Sequence, residues 1–162
     1  MIICARVDNR LLHGQVLEAW LPRTRATLVV VASDSLVQDS LTCMAMECAM
    51  PAGVGLEIRS VAEAARCQRD GEWNDERVLI LFKSPDDVLR ALRAGFETPT
   101  LNLGNMHFEK GKKEVTPTIF WGPHDRELLQ EIRRHGVHVE IQTVPRDRVV
   151  NADPLLNGDL RS

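Results

Sequence analysis

Seven apolar runs of strand length punctuate the chain: IICARV (2–7), TLVVVA (27–32), GLEI (55–58), RVLILF (77–82), TLNL (100–103), VTPTIFW (115–121) and VHVEIQ (137–142). Several are unbroken Val, Ile and Leu rather than alternating, the pattern of strands covered on both faces. Between them the apolar spacing changes to about 3.6. Val16, Leu17, Trp20 and Leu21 keep one face after the first run; Leu36, Val37, Leu41, Met44, Ala45 and Cys48 keep one after the second. The spacing therefore predicts helices alternating with strands, one of them running without a break from 36 to 48.

Helix punctuation agrees. Ser60 and Glu63 form a capping box, and Ser84 followed by Pro85, Asp86 and Asp87 combines an N-cap, a proline at the first helical position and acids on the positive end of the dipole. Gly95 and Gly136 stand where helices over 85–94 and 124–135 should stop. The expected fold class is α/β: an open, mostly parallel twisted sheet of about six to seven strands with helices on both faces, in a single domain spanning 1–162. The tail after Pro145 reads as polar, with one short apolar patch at Leu155 and Leu156. Ligands of such sheets bind beyond the carboxyl ends of the strands. That singles out VDNRLLHGQ, SDS at 33–35, KSPDD at 83–87, GNMHFEKGK from 104, and TVPRD at 143–147.

Composition changes this picture little. Hydrophobic residues make up 44% and charged residues 27%, and the net charge of -3 gives no general attraction to nucleic acid or to an anionic membrane. Cys4, Cys43, Cys48 and Cys67 form no CxxC pair and have no histidines at zinc spacing, so free and mostly buried thiols are expected, in keeping with a reducing cytosol. The start MIICARVDNR lacks the pattern of a signal peptide and no long apolar run occurs, so a cytoplasmic location is expected.

The chemistry concentrates at the end of the first run. Arg6, Asp8, Arg10 and His13 crowd together, and Gly14 opens a helix whose free N–H groups favour an anion. An imidazole flanked by two guanidiniums suits attack on phosphorus, because arginine presents a planar fork to two phosphate oxygens. Residue types alone leave a second reading open, in which His13 is a surface or capping residue and the arginines pair with Asp8. Other motifs are weaker. Arg134, His135 and Gly136 spell the RHG of histidine phosphatases but end a helical pattern, so a basic last turn with a glycine cap explains them. No GxGxxG or GxxxxGK is present. Asp8, Asp34, Asp39 and Lys83 are the residue types of a phosphate-receiver domain, but alternating charge rather than an acidic pair follows the first strand. Lys110, Lys112 and Lys113 lie among Glu109 and Glu114, as in a solvated turn.

RVDNRLLHGQV, carrying Arg6, Asp8, Arg10, His13, Gly14, Gln15 and Val16 with Trp20 beyond, closely resembles the enzyme IIB component of the mannose-fructose-sorbose family of the bacterial sugar phosphotransferase system. The likeness continues through VVVASDSLVQD, MPAGVGLEIRSVAEA, RVLILFKSPDDVLRALRAG, LNLGNMH and GVHVEIQTVP, in order. It implies a relay in which His13 accepts a phosphoryl group through Nδ1 from a phosphohistidine of a IIA protein. The group then passes to a sugar entering through the membrane components IIC and IID, which would hold the protein at the membrane. Arg6 and Arg10 would hold phosphoryl oxygens, Gly14 and Asn9 would add donors, and Asp8 would fix an arginine or orient the imidazole. Ser33, Asp34, Lys83, Ser84, Asn105 and His107 are expected on substrate-side loops. Asn9 stands where the family more often has a second aspartate, and Ala32, Ser33 and Asp34 where it often has paired acids. No metal or cofactor is required, and a second copy of the chain is kept open as a further partner. The alternative is a regulatory protein, phosphorylated at His13, that binds partners without phosphorylating sugar.

Overall fold

Val78–Phe82 and Leu28–Ala32 are without a polar side chain and fully covered, and they become two inner strands of one sheet. In the computed structural model, which describes residues 1–158, the elements alternate as the spacing predicts. They run β1 (Ile2–Asp8), α1 (Leu21–Thr24), β2 (Leu28–Ala32), α2 (Ser40–Ala49), β3 (Gly55–Arg59), α3 (Val61–Arg69), β4 (Val78–Phe82), α4 (Pro85–Arg93) and β5 (Thr100–Asn105). A hairpin of β6 (Lys113–Thr116) and β7 (Ile119–Trp121) follows, then α5 (Pro123–Arg134), β8 (His138–Ile141), β9 (Val150–Asn151) and α6 (Asp153–Asn157). The sheet has seven strands in the order β3-β2-β4-β1-β5-β8-β9, all parallel except β9.

From β1 the chain crosses to one side of the sheet, towards β2, and from β5 to the other, towards β8. The carboxyl ends of these two neighbours therefore flank the crevice where the winding reverses, the usual ligand position in an open α/β sheet. Ala5 and Val7 of β1 face the core under α3, α4 and α5, where Phe82 and Phe96 meet edge to face at 5.6 Å. With a period of two, Arg6 and Asp8 point to the opposite face, shared with Val16, Trp20, Leu21, Val31 and Leu81.

The caps form as read. Ser60 and Glu63 close a reciprocal capping box, Ser84 Oγ accepts the Asp87 N–H at 3.3 Å, and Gly95 and Gly136 take φ of 93° and 85° just past α4 and α5. The latter explains Arg134-His135-Gly136 as a helix end.

Four expectations need correction. The helix expected over 36–48 breaks at Asp39, whose φ and ψ of -105° and 82° make it the N-cap of α2 after a short 3-10 turn, Leu36–Gln38. That break resets the phase, so Cys43 and Met46 turn towards the core while Leu41, Met44 and Cys48 are exposed. Cys48 is thus not a buried thiol; Cys67 is, and burial pushes the Cys4 thiol up to about 12. Residues 115–121 are not one strand, because Pro117 and Thr118 turn the chain into the antiparallel β6–β7 hairpin beside the main sheet. The tail adds β9 and α6, with Leu156 fully buried.

Candidate functional site

The helix after β1 opens at Gly14, and His13 C=O accepts the N–H groups of Val16 (3.0 Å) and Leu17 (3.1 Å). The N–H groups of Gly14 and Gln15 are thereby left at the open first turn. Pro22 cannot donate to the preceding turn, and the segment Val16–Trp20 widens into a π-helical turn closed by Leu21 N–H on Val16 C=O. Trp20 lies inward, 5% exposed, its Nε1 donating to Thr143 C=O at 3.0 Å. The Arg6 guanidinium stacks 4.5 Å from the Trp20 ring centroid.

Arg6 is fully buried, and its partners explain how a cation is tolerated there. It donates to Asn102 Oδ1, to Gln142 C=O at 2.9 Å, to Thr143 C=O at 2.9 Å and to Asp8 Oδ2 at 3.3 Å. Burial lowers its pKa, countered by the Asp8 charge. Arg6 was expected to hold phosphoryl oxygens; the structure instead places it beneath the loop, with its fork committed to protein oxygens.

Asp8 is the hub. Its Oδ2 also accepts from His13 Nε2 at 2.9 Å, and its Oδ1 accepts the Arg10 N–H at 3.1 Å and Arg10 Nε at 3.4 Å. Burial pushes the Asp8 carboxyl up, but the His13 hydrogen bond and charge, the Arg6 charge and the Arg10 N–H together outweigh it, so the pKa falls below the ordinary carboxylate value. Asp8 thus touches both arginines and the imidazole at once. Facing a carboxylate, Nε2 donates, so in the neutral ring the hydrogen is on Nε2 and Nδ1 keeps its lone pair, without a partner among the described residues. The His13 side chain is only 17% exposed, a half-buried position rather than a fully exposed loop tip. Arg10 is 44% exposed and uses two donors, Nε on Asp8 and Nη2 on Gln15 Oε1 at 3.0 Å. Its other guanidinium N–H groups have no partner among the described residues.

Asn9 was expected among the phosphate donors, but its backbone N–H donates to Asn105 C=O at 3.1 Å and its amide is engaged by Asn105 and His107. It anchors the loop to β5. Asn9, Lys83, Ser84 and His107 line one depression of about 280 Å³ with Lys112 and Asp125. Ser33 and Asp34 are not brought to it. Ser33 is buried and bonds within its own turn, whereas Asp34 accepts the Val61 N–H at 2.9 Å and Arg90 Nη1 at 2.7 Å, tying α3 to α4. Since Asp39 caps α2, the three acids do not converge as a receiver site would need. The larger cavity, about 670 Å³, lies at the amino ends of the strands against Ile2 and Trp73, away from His13.

Asn102, Gly104, Gln15 and the carbonyls of Gln142 and Thr143 complete the site; the sequence marked the stretches carrying Gln15, Gly104 and Thr143, but not these contacts. One signal existed: a polar Asn inside the run TLNL, like the charged Arg inside IICARV, needs a buried partner.

A family model described as PTS system sorbose subfamily IIB component matches residues 2–161. A PTS sorbose-specific EIIB component of Klebsiella pneumoniae is 32% identical over 150 residues, 93% of this chain and 92% of that protein. The PTS mannose-specific EIIAB component of Escherichia coli strain K12 is 31% identical over 143 residues, which are 88% of this chain and 44% of that longer protein. The crystal structure of the IIBSor domain of the sorbose permease from Klebsiella pneumoniae superimposes with a TM-score of 0.90 at 31% identity, covering 97% of this chain and 96% of that one. Sequence, fold and element order agree over nearly the whole length, and the chain therefore belongs to the sorbose-subfamily IIB components of the sugar phosphotransferase system, a family of phosphotransfer in sugar uptake.

Proposed function

We propose that His13 accepts a phosphoryl group on Nδ1 from a phosphohistidine of a IIA component and passes it to a sugar held by IIC and IID membrane components. The observation that carries this reading is the pairing of His13 Nε2 with Asp8 at 2.9 Å, which leaves Nδ1 as the nucleophilic nitrogen. In the first transfer the donor's N–P bond breaks as the Nδ1–P bond forms. The Nε2–H stays on His13, donating to Asp8, so no proton has to leave the ring. In the second transfer the Nδ1–P bond breaks as phosphorus joins a sugar hydroxyl oxygen, whose proton leaves to solvent. The group in flight is anionic, and catalysis is mostly alignment and charge stabilisation. Arg10 and the first-turn N–H groups at Gly14 supply the donors; Arg6 acts at one remove by holding Asp8. Among the described residues no helix is long and apolar enough to cross a membrane, so membrane work falls to the partners.

Incubation with phosphoenolpyruvate, the general phosphotransferase proteins and a cognate IIA, followed by mass spectrometry, should find one phosphoryl group on His13, labile in acid and stable in base. His13→Ala should abolish it with circular dichroism unchanged, and sugar phosphate should appear only when IIC and IID are added. Phosphate at His107 or His135, or an acid-stable modification, would overturn the assignment.

A further inference from the structure

Asn9 occupies a corner of the turn Asp8–Leu11, in which the Leu11 N–H donates to Asp8 C=O at 2.8 Å and Leu11 takes a φ of 56°. A leucine in the left-handed region is strained, so the turn persists only because its surroundings hold it. The Asn9 amide is held from both sides. Its Oδ1 accepts from Asn105 Nδ2, and its Nδ2 donates to Nδ1 of His107. A donor aimed at His107 Nδ1 requires that nitrogen to be unprotonated, so the ring hydrogen is on Nε2, which meets Glu109 Oε1 at 3.1 Å. Glu109 in turn is 3.1 Å from Lys112 Nζ, which is 3.3 Å from Asp125 Oδ2, and Asp125 accepts the Gly122 N–H at the start of α5 at 2.9 Å. The chain of partners thus runs from β5 through Asn9 and His107 to the base of α5.

We infer that His107 is a positioning residue for phosphotransfer: it locks Asn9 at the corner of the strained turn and so sets the direction in which the neighbouring Arg10 presents its guanidinium. The inference rests on the reading of His13 as phosphoryl acceptor and assigns His107 no contact with the phosphoryl group or the sugar. Its strength lies in direction. With His107 Nδ1 unprotonated and the Asn105 amide as it stands, turning the Asn9 amide round would lose both bonds. A slightly rotated Arg10 would still be charged but misaligned, and alignment is what this reaction needs.

The test is rapid-quench transfer from phosphorylated IIA, at saturating donor, to wild type, His107→Ala, His107→Gln, Arg10→Lys and the double variant Arg10→Lys with His107→Ala. Glutamine carries an acceptor and a donor of similar reach, so it should restore transfer to within about twofold of wild type. His107→Ala should slow the transfer step about three- to tenfold, the loss of roughly one hydrogen bond, without changing the donor concentration giving half-maximal rate. In the Arg10→Lys background the same alanine change should cost less than about twofold, because the group it positions has gone. Nitrogen NMR of the unphosphorylated protein should show His107 with Nδ1 unprotonated and hydrogen-bonded, whether or not transfer occurs. Wild-type rates in His107→Ala, full additivity with Arg10→Lys, or a His107 proton on Nδ1 would overturn this inference alone. A wild type that takes no phosphoryl group on His13 would overturn the proposed function as well.

Discussion

Asp8, with no solvent-exposed side-chain surface, takes donors from Arg6, His13 and both the backbone and side chain of Arg10. Asp8→Asn would leave the Arg6 cation buried without its counter-charge, and removing one partner of such a pair costs about 3–5 kcal/mol. Urea unfolding at neutral pH should show that loss. Because the folded-state pKa of Asp8 lies below its unfolded value, its stabilisation is complete above the ordinary carboxylate value of about 3.9 and fades as pH falls through the lower folded value. The difference between wild type and Asp8→Asn should therefore shrink below about pH 4, and a constant difference down to pH 2 would refute this account. At Arg10 geometry should matter more than charge. Lysine keeps the charge but cannot offer a fork to two oxygens, so Arg10→Lys should slow transfer from IIA about ten- to a hundredfold, with circular dichroism unchanged. Equal rates at saturating donor would reduce Arg10 to a docking residue.

β1 and β5 are the elements that build the site, and their register sets Arg6 beside Asn102. Gly104, two residues further along β5, faces the same guanidinium. A Cβ there would lie 1.9 Å from Arg6 Cζ, so Gly104→Ala must displace Arg6 or the strand. Overpacking of this kind costs about 1–3 kcal/mol or more. Denaturant unfolding should register the loss, and transfer to His13 should slow with it, since Arg6 supports Asp8. Elements bounded by local signals were legible in the sequence: Ser60 with Glu63, and Ser84 before Pro85, start α3 and α4 as read. Where an element depends on a backbone break the pattern misled. Leu41, Met44 and Cys48 kept helical spacing with Leu36, yet the turn at Asp39 put them on the solvent side. In the site, the residues of Arg6-Val7-Asp8-Asn9-Arg10 were legible but their division of labour was not. Whether an arginine faces a ligand or lies buried depends on Trp20, Asn102 and Thr143, distant in sequence and adjacent only in the fold.

Taken as a whole, the molecule is closed at its β8 edge by the antiparallel β9 and by α6, neither long enough to leave a periodic signal in the sequence. Leu156 anchors this cover, fully buried, with its C=O accepting from Arg126 Nε at 2.8 Å and Gln130 Nε2 at 3.0 Å. Leu156→Ala should cost about 2–5 kcal/mol in chemical denaturation. Well below the lowered midpoint it should transfer phosphate at the wild-type rate, because Leu156 packs in the core cluster on the sheet face opposite the one that holds Leu11, Leu12 and Val16. The site itself draws on a much greater span. Arg6 and the Thr143 carbonyl that helps to hold it are 137 residues apart. On the ribosome, therefore, the histidine is made long before the carbonyls at 142 and 143 exist. A nascent chain carries His13 without this support, and only a molecule synthesised through Thr143 and folded holds Arg6 in place beneath it. On the proposed function, unfinished and truncated copies would offer the relay no fixed acceptor.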